Sequence, residues 1–163
     1  GAVKALEEKT SLKGKKIVII GAGGVARAIG FGVMEKRADV CIFDVDTKKA
    51  DSLAVDLGCR TSSLESIGSD FDILINCSPV GMHPHIDKTP FSKDMLKKGM
   101  IVFDAVYNPL KTRLLKEAEE AGCVTIQGIE LFVNQAVDQF ELWTGQKAPK
   151  SLMKEIVLDR LQS

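Results

Sequence analysis

The six residues Gly21-Ala22-Gly23-Gly24-Val25-Ala26 have a spacing suited to holding an anion on backbone N–H groups. They follow an apolar run, Lys16 to Ile20, and open a stretch of helical periodicity from Val25 to Lys36. In that setting Gly21 permits a tight turn, Gly23 lets the backbone approach a pyrophosphate, and Ala26 keeps helix and strand close. The helix start adds unpaired N–H groups. Dinucleotide binding is the chemistry this turn predicts. Asp44 lies about twenty positions on, where a carboxylate accepts the ribose hydroxyls of NAD and repels the 2′-phosphate of NADP. Lys48 and Lys49 lie close enough in sequence to bind that phosphate, so Asp44 favours NAD while NADP stays open.

Three more polar segments each follow an apolar run. They are Asn76-Cys77-Ser78-Pro79-Val80-Gly81-Met82, Asp104 to Thr112, and Gly128 to Ala136. In an open α/β sheet, ligands sit beyond the carboxyl ends of the strands, so these segments belong to the same rim as the glycine turn.

The elements that must position them alternate short β-branched runs with helical periodicity, the pattern of a parallel sheet with crossover helices. Strands are predicted at Lys16 to Ile20, Asp39 to Asp44, Cys59 to Thr61, Phe71 to Asn76, Met100 to Asp104 and Cys123 to Ile126. Helices are predicted at Val25 to Lys36, Thr47 to Leu57 and Thr112 to Ala121, with Gly58 and Gly122 closing the last two. Ser62 to Glu65 has capping-box spacing. Right-handed crossovers then give an α/β, Rossmann-type doubly wound sheet of order 3-2-1-4-5-6. A short helix over Ala2 to Lys9 precedes it, and extra C-terminal helices over Leu131 to Trp143 and Pro149 to Leu161 follow. Pro149 suits a first helical turn.

Composition narrows the function classes. The 163 residues, enough for one domain, are 45% hydrophobic and 27% charged, which excludes disorder and coiled coil. Lys plus Arg and Asp plus Glu both number 22, so non-specific nucleic-acid or membrane-surface binding is not expected. No apolar run is long enough to span a bilayer. Cys41, Cys59, Cys77 and Cys123 form no CxxC pair and read as reduced, small hydrophobes, which predicts a cytoplasmic protein without a metal. His83 and His85 read as loop residues, with a metal or acid/base role as the alternative. Trp143 and the final helix read as packing or interface surface.

Taken together, G-A-G-G-V-A-R-A, N-C-S-P-V-G-M, D-A-V-Y-N-P-L-K-T and G-I-E-L-F-V-N-Q-A resemble, in order and spacing, the cofactor-binding half of the shikimate/quinate dehydrogenase family. The resemblance implies an oxidoreductase of aromatic amino acid biosynthesis that moves a hydride between NAD(P)H and 3-dehydroshikimate or shikimate. It implies cofactor contacts from Gly21, Ala22, Gly23, Gly24, Val25, Asn76, Ser78, Gly128 and Leu131, with Gly81 and Met82 shaping the loop above. Tyr107 would reach the substrate carboxylate and Gln135 a ring hydroxyl, whereas Asp104 and Thr112 look like loop anchors. Two positions depart from the family pattern. Asp44-Val45-Asp46-Thr47 replaces the Asn-Arg-Thr of NADP-dependent members and is similar to NAD-using ones, and Leu131-Phe132 replaces Met-Leu.

The family's proton-transferring Lys and Asp pair belongs to an N-terminal substrate domain. Lys13, Lys15 and Lys16 lie at the wrong edge of the sheet to substitute. The expectation is therefore a chain, residues 1–163, without catalytic residues of its own, binding cofactor with little turnover, whose helices over 131–163 pack against that domain. A quinate dehydrogenase is the close alternative, and a non-catalytic ligand sensor is the alternative of another class.

Overall fold

Strand β1 (Lys16–Ile20) shows one exposed residue followed by four buried ones, the pattern of a strand covered on both faces. Around it the computed structural model, which describes residues 1–162, places a six-stranded parallel sheet of order β3-β2-β1-β4-β5-β6. The other strands are β2 (Asp39–Phe43), β3 (Arg60–Thr61), β4 (Ile73–Asn76), β5 (Ile101–Asp104) and β6 (Val124–Ile126). This is the predicted doubly wound order. Ile20 stands opposite Phe43 on one side and opposite Asn76 on the other. The order reverses around β1, opening a crevice beyond the ends of β1 and β4.

Alternate strand residues feed separate cores, as a period of two requires. Ile17, Ile19, Ile75 and Phe103 pack with helices α1 (Ala2–Glu7), α2 (Gly24–Glu35) and α3 (Thr47–Leu57). On the other face Val18, Ile20, Leu74 and Val102 meet α4 (Leu64–Ile67) and the buried Leu114, Leu115 and Ala118 of α5 (Arg113–Glu120). Burying each such Leu or Ile contributes about 1.5–3 kcal/mol. The strand ends that carry the polar segments are thus held on both sides.

Most predicted boundaries shift by a residue or two, and some corrections have clear causes. Ser63, not Ser62, caps α4, accepting from Ser66 N at 3.3 Å, so the capping box with Glu65 does not form. Phe71 lies before β4 rather than in it, and its ring packs edge-on against Phe91 at 5.6 Å. Helix α6 (Gly128–Thr144) begins at Gly128 rather than Leu131, drawing the last polar segment into its first turn. Helix α7 (Lys150–Gln162) follows Pro149, and Lys154 pairs with Glu130 to tie α7 to α6. Leu142 and Trp143 are 81% and 76% exposed, and Leu152 and Ile156 are also uncovered. Among the described residues no helix is long and apolar enough to cross a membrane.

Candidate functional site

Helix α2 starts from Gly23 as N-cap, with no side chain capping it and no acidic group in its first turn. Its first N–H groups and the positive end of its dipole are therefore uncompensated. A Cβ on Gly23 or Gly24 would meet nothing within 4 Å, so the space above this helix end is open. Gly21 differs. Its φ is +102°, and a Cβ there would lie 2.9 Å from the Cys77 carbonyl carbon and from Ser78 N. Only glycine lets the loop after β4 approach the turn so closely. Bare donors, a helix N-terminus and open space fit a pyrophosphate group.

Asp44 stands half-buried at the edge of this cradle. Its Oδ2 accepts from Ala22 N and its Oδ1 from Asp46 N, both at 2.8 Å. The carboxylate clamps the glycine turn to the end of β2 and keeps lone pairs for further donors. Lys49 pairs with Asp46 at 3.8 Å, while Lys48 is exposed.

The loops after β4 and β5 are organised by a buried network. Asn76 Oδ1 accepts from Ser78 N at 3.0 Å and from Ser78 Oγ at 2.7 Å. Asn76 Nδ2 donates to Asp104 Oδ1 at 3.0 Å and to the Val80 carbonyl at 3.3 Å. Asn76 is 0% exposed and holds the rim through its hydrogen bonds with Ser78 and the Val80 carbonyl. Asp104 Oδ2 accepts from Thr112 Oγ1 at 2.6 Å, Oδ1 accepts from Val106 N at 3.0 Å, and Thr112 in turn caps α5. Both are loop anchors. Burial pushes the Asp104 carboxyl up to about 6, against the hydrogen bonds from Thr112, Val106 N and Asn76 that favour its charged form. Burial, with the Asp104 charge adding, pushes the Cys77 thiol up to about 12, which favours its neutral form.

Above this network His83 N donates to the Asn108 carbonyl at 3.0 Å, joining the two loops. An open cleft of about 360 Å³ lies there, bordered by Val25, Ser78, Met82, His83, Val106 and Tyr107. A larger cavity of about 590 Å³ lies at the amino-terminal edge of the sheet, around Lys15, Asp72 and Lys98, and contains none of the polar motifs. Chemistry, not size, singles out the smaller cleft.

Tyr107 is 38% exposed and stacks on Phe132, centroids 4.5 Å apart and planes 28° from parallel. Gln135 is exposed one turn along α6 from Phe132, at the spacing that makes helix neighbours. Tyr107, remote in sequence from α6, thus meets that helix at Phe132, three residues before Gln135. Leu131 is half-buried against the core, near Gly1, while Phe132 meets Tyr107. Gly128 is buried, and a Cβ there would lie 2.5 Å from the Ala105 and Val106 carbonyl oxygens. Sequence reasoning set both His83 and His85 beside the cleft, and only His83 borders it; Val106, to which that reasoning assigned no site role, lines it too. Among the described residues no group of three or more His, Cys, Asp or Glu side chains is arranged to hold a metal.

The chain resembles known proteins along its whole length. The sequence profile of the shikimate 5′-dehydrogenase C-terminal domain matches residues 128–158. A shikimate dehydrogenase (NADP(+)) of Methanosarcina acetivorans is 42% identical over 100% of this chain and 62% of its own length. A crystal structure of a shikimate dehydrogenase in complex with NADP+ superposes with a TM-score of 0.90 at 36% identity, over 98% of this chain and 60% of that one. A quinate dehydrogenase from Corynebacterium glutamicum in complex with NAD gives 0.88 at 32% identity, again over 98% and 60%. This chain therefore spans about three fifths of the length of such relatives. Likeness in sequence along the whole chain, together with likeness in fold, makes it a member of the shikimate dehydrogenase family, of which it carries the C-terminal part.

Proposed function

We propose that this chain is the dinucleotide-binding half of a shikimate dehydrogenase that interconverts 3-dehydroshikimate and shikimate. One observation carries the reading. Val25, in the first turn of α2, and Tyr107, the candidate substrate contact, border the same cleft. A dinucleotide lying with its phosphates on α2 would bring its other end to Tyr107. When bound, the nicotinamide gives or takes the hydride.

The chain's own residues bind and orient. Gly21 to Val25 cradle the pyrophosphate on backbone N–H groups, and Asp44 accepts from the adenosine ribose. Ser78, held by Asn76, shapes the near wall. The Gly128 backbone meets the nicotinamide amide, Tyr107 holds the substrate carboxylate, and Gln135 holds a ring hydroxyl. The Phe132 ring, stacked under Tyr107, fixes the height of that hydroxyl above α6. Protonation of the developing alkoxide falls to a Lys and Asp pair in a substrate domain outside these residues. The exposed Trp143, Leu152 and Ile156 are the surface that domain would cover. A cytoplasmic setting suits the four free cysteines.

Asp44 favours NAD, because a 2′-phosphate would meet a carboxylate fixed by two hydrogen bonds. Parallel calorimetric titrations with NAD+ and NADP+ test this. Tighter NAD+ binding is expected, and Asp44→Asn should narrow the preference about tenfold, the worth of a charge-assisted hydrogen bond of about 1.5 kcal/mol. NADP+ binding tighter than NAD+ would move the adenosine contact to a base such as Lys48. Binding of neither would remove the proposal.

A further inference from the structure

Two histidines flank Pro84, and the structure separates them. His83 borders the cleft shared by Val25 and Tyr107, and His85 does not. The backbone on either side is pinned, His83 N donating to Asn108 at 3.0 Å and His85 N to the Met82 carbonyl at 2.9 Å. The His83 imidazole has no hydrogen-bond or ion-pair partner among the described residues. Ser78 is already committed, its hydroxyl donating to Asn76 and accepting from Val80 N. Among apolar walls such as Val25, Met82 and Val106, an uncommitted imidazole is a donor and acceptor placed for a ligand.

Strand order indicates which part of the ligand. Asp44 follows β2, on one side of β1, whereas the cleft is built from the loops after β4 and β5, on the other side. With the pyrophosphate at the β1–α2 turn, the adenosine end extends over β2 and the nicotinamide end over β4 and β5.

Building on the proposed function, we infer that His83 is a recognition residue for the nicotinamide-ribose end of the dinucleotide, hydrogen-bonding that ribose or its adjoining phosphate oxygen while leaving the adenosine end untouched. His83 then sets cofactor affinity from the loop that Asn108 holds in place.

The test compares two probes on the purified protein by calorimetry: ADP, and whichever of NAD+ and NADP+ binds more tightly. His83→Ala is expected to weaken dinucleotide binding about tenfold, the loss of one hydrogen bond, with ADP affinity and the melting temperature unchanged. His83→Gln, which keeps a donor and an acceptor, should recover part of the loss. Equal weakening of ADP and dinucleotide, or no weakening of either, overturns the inference. The two readings fail differently. If the unsubstituted protein binds no dinucleotide, both fall; if it binds and His83→Ala binds equally well, only the role of His83 falls.

Discussion

Gly128→Ala is expected to destabilise the protein by about 2–4 kcal/mol and to weaken dinucleotide binding sharply. The added methyl would lie 2.5 Å from two carbonyl oxygens, those of Ala105 and Val106. Both are backbone atoms at the exit of β5, so no side-chain rotation relieves the overlap. Either the start of α6 lifts away or the β5 loop retreats. Each movement disturbs the Tyr107–Phe132 stack and the cleft wall at Val106. In a chain of this size the cost corresponds to a fall in melting temperature of about 6–12 °C. Gly24→Ala is the control for stability, since a Cβ there meets nothing within 4 Å on a helical residue. It should melt at or above the parent temperature. An unchanged melting temperature and unchanged affinity in Gly128→Ala would show that the contact between α6 and the β5 loop is not needed.

Asp104→Asn should change how stability depends on pH, by an amount set by burial. The Asp104 carboxyl is raised from 3.8 to about 6 in the folded protein. Between those values the unfolded chain has released its proton and the folded chain still holds it. Stability therefore falls as pH rises through this window and levels off above about pH 6, a contribution of about 3 kcal/mol. Asparagine keeps two of the Asp104 hydrogen bonds and reverses the one with Thr112. Its Oδ1 accepts from Val106 N and Asn76 Nδ2, and its Nδ2 donates to Thr112 Oγ1, which still accepts from Leu115 N. Urea unfolding of parent and variant at pH 4 and pH 7 reads the difference, in which other carboxylates cancel. The variant should gain about 3 kcal/mol relative to the parent on going to pH 7. A difference independent of pH would mean that Asp104 is charged throughout.

Much of this architecture was legible in residue types alone. Lys16–Ile20, with no polar face, could only be a strand buried on both sides, and the glycines after it could only serve a tight turn at a helix start. The order β3-β2-β1-β4-β5-β6 followed, because right-handed crossovers leave few alternatives. Asp44 and the glycine turn were readable because their spacing is local to one strand–helix–strand unit. Asp104 and Thr112 read as anchors from eight positions apart, and they bond at 2.6 Å.

Elsewhere, contacts between distant segments decided. Asn76 and Ser78 look alike as polar residues after a strand, yet only Asn76 is fully buried, because Asp104 lies beside it on β5. Leu131 and Phe132 are adjacent apolar residues on one helix, and which of them faces the core depends on where Gly128 seats α6 against β5. His83 and His85 differ by two positions, and the bond from His83 N to Asn108 helps bring only the first to the cleft. By itself the sequence determined the sheet, the turn and the carboxylate at its edge, since each is written in neighbouring residues. Which side chains line the cleft was decided only by the tertiary structure, because burial at the rim depends on loops that meet across strands far apart in the chain.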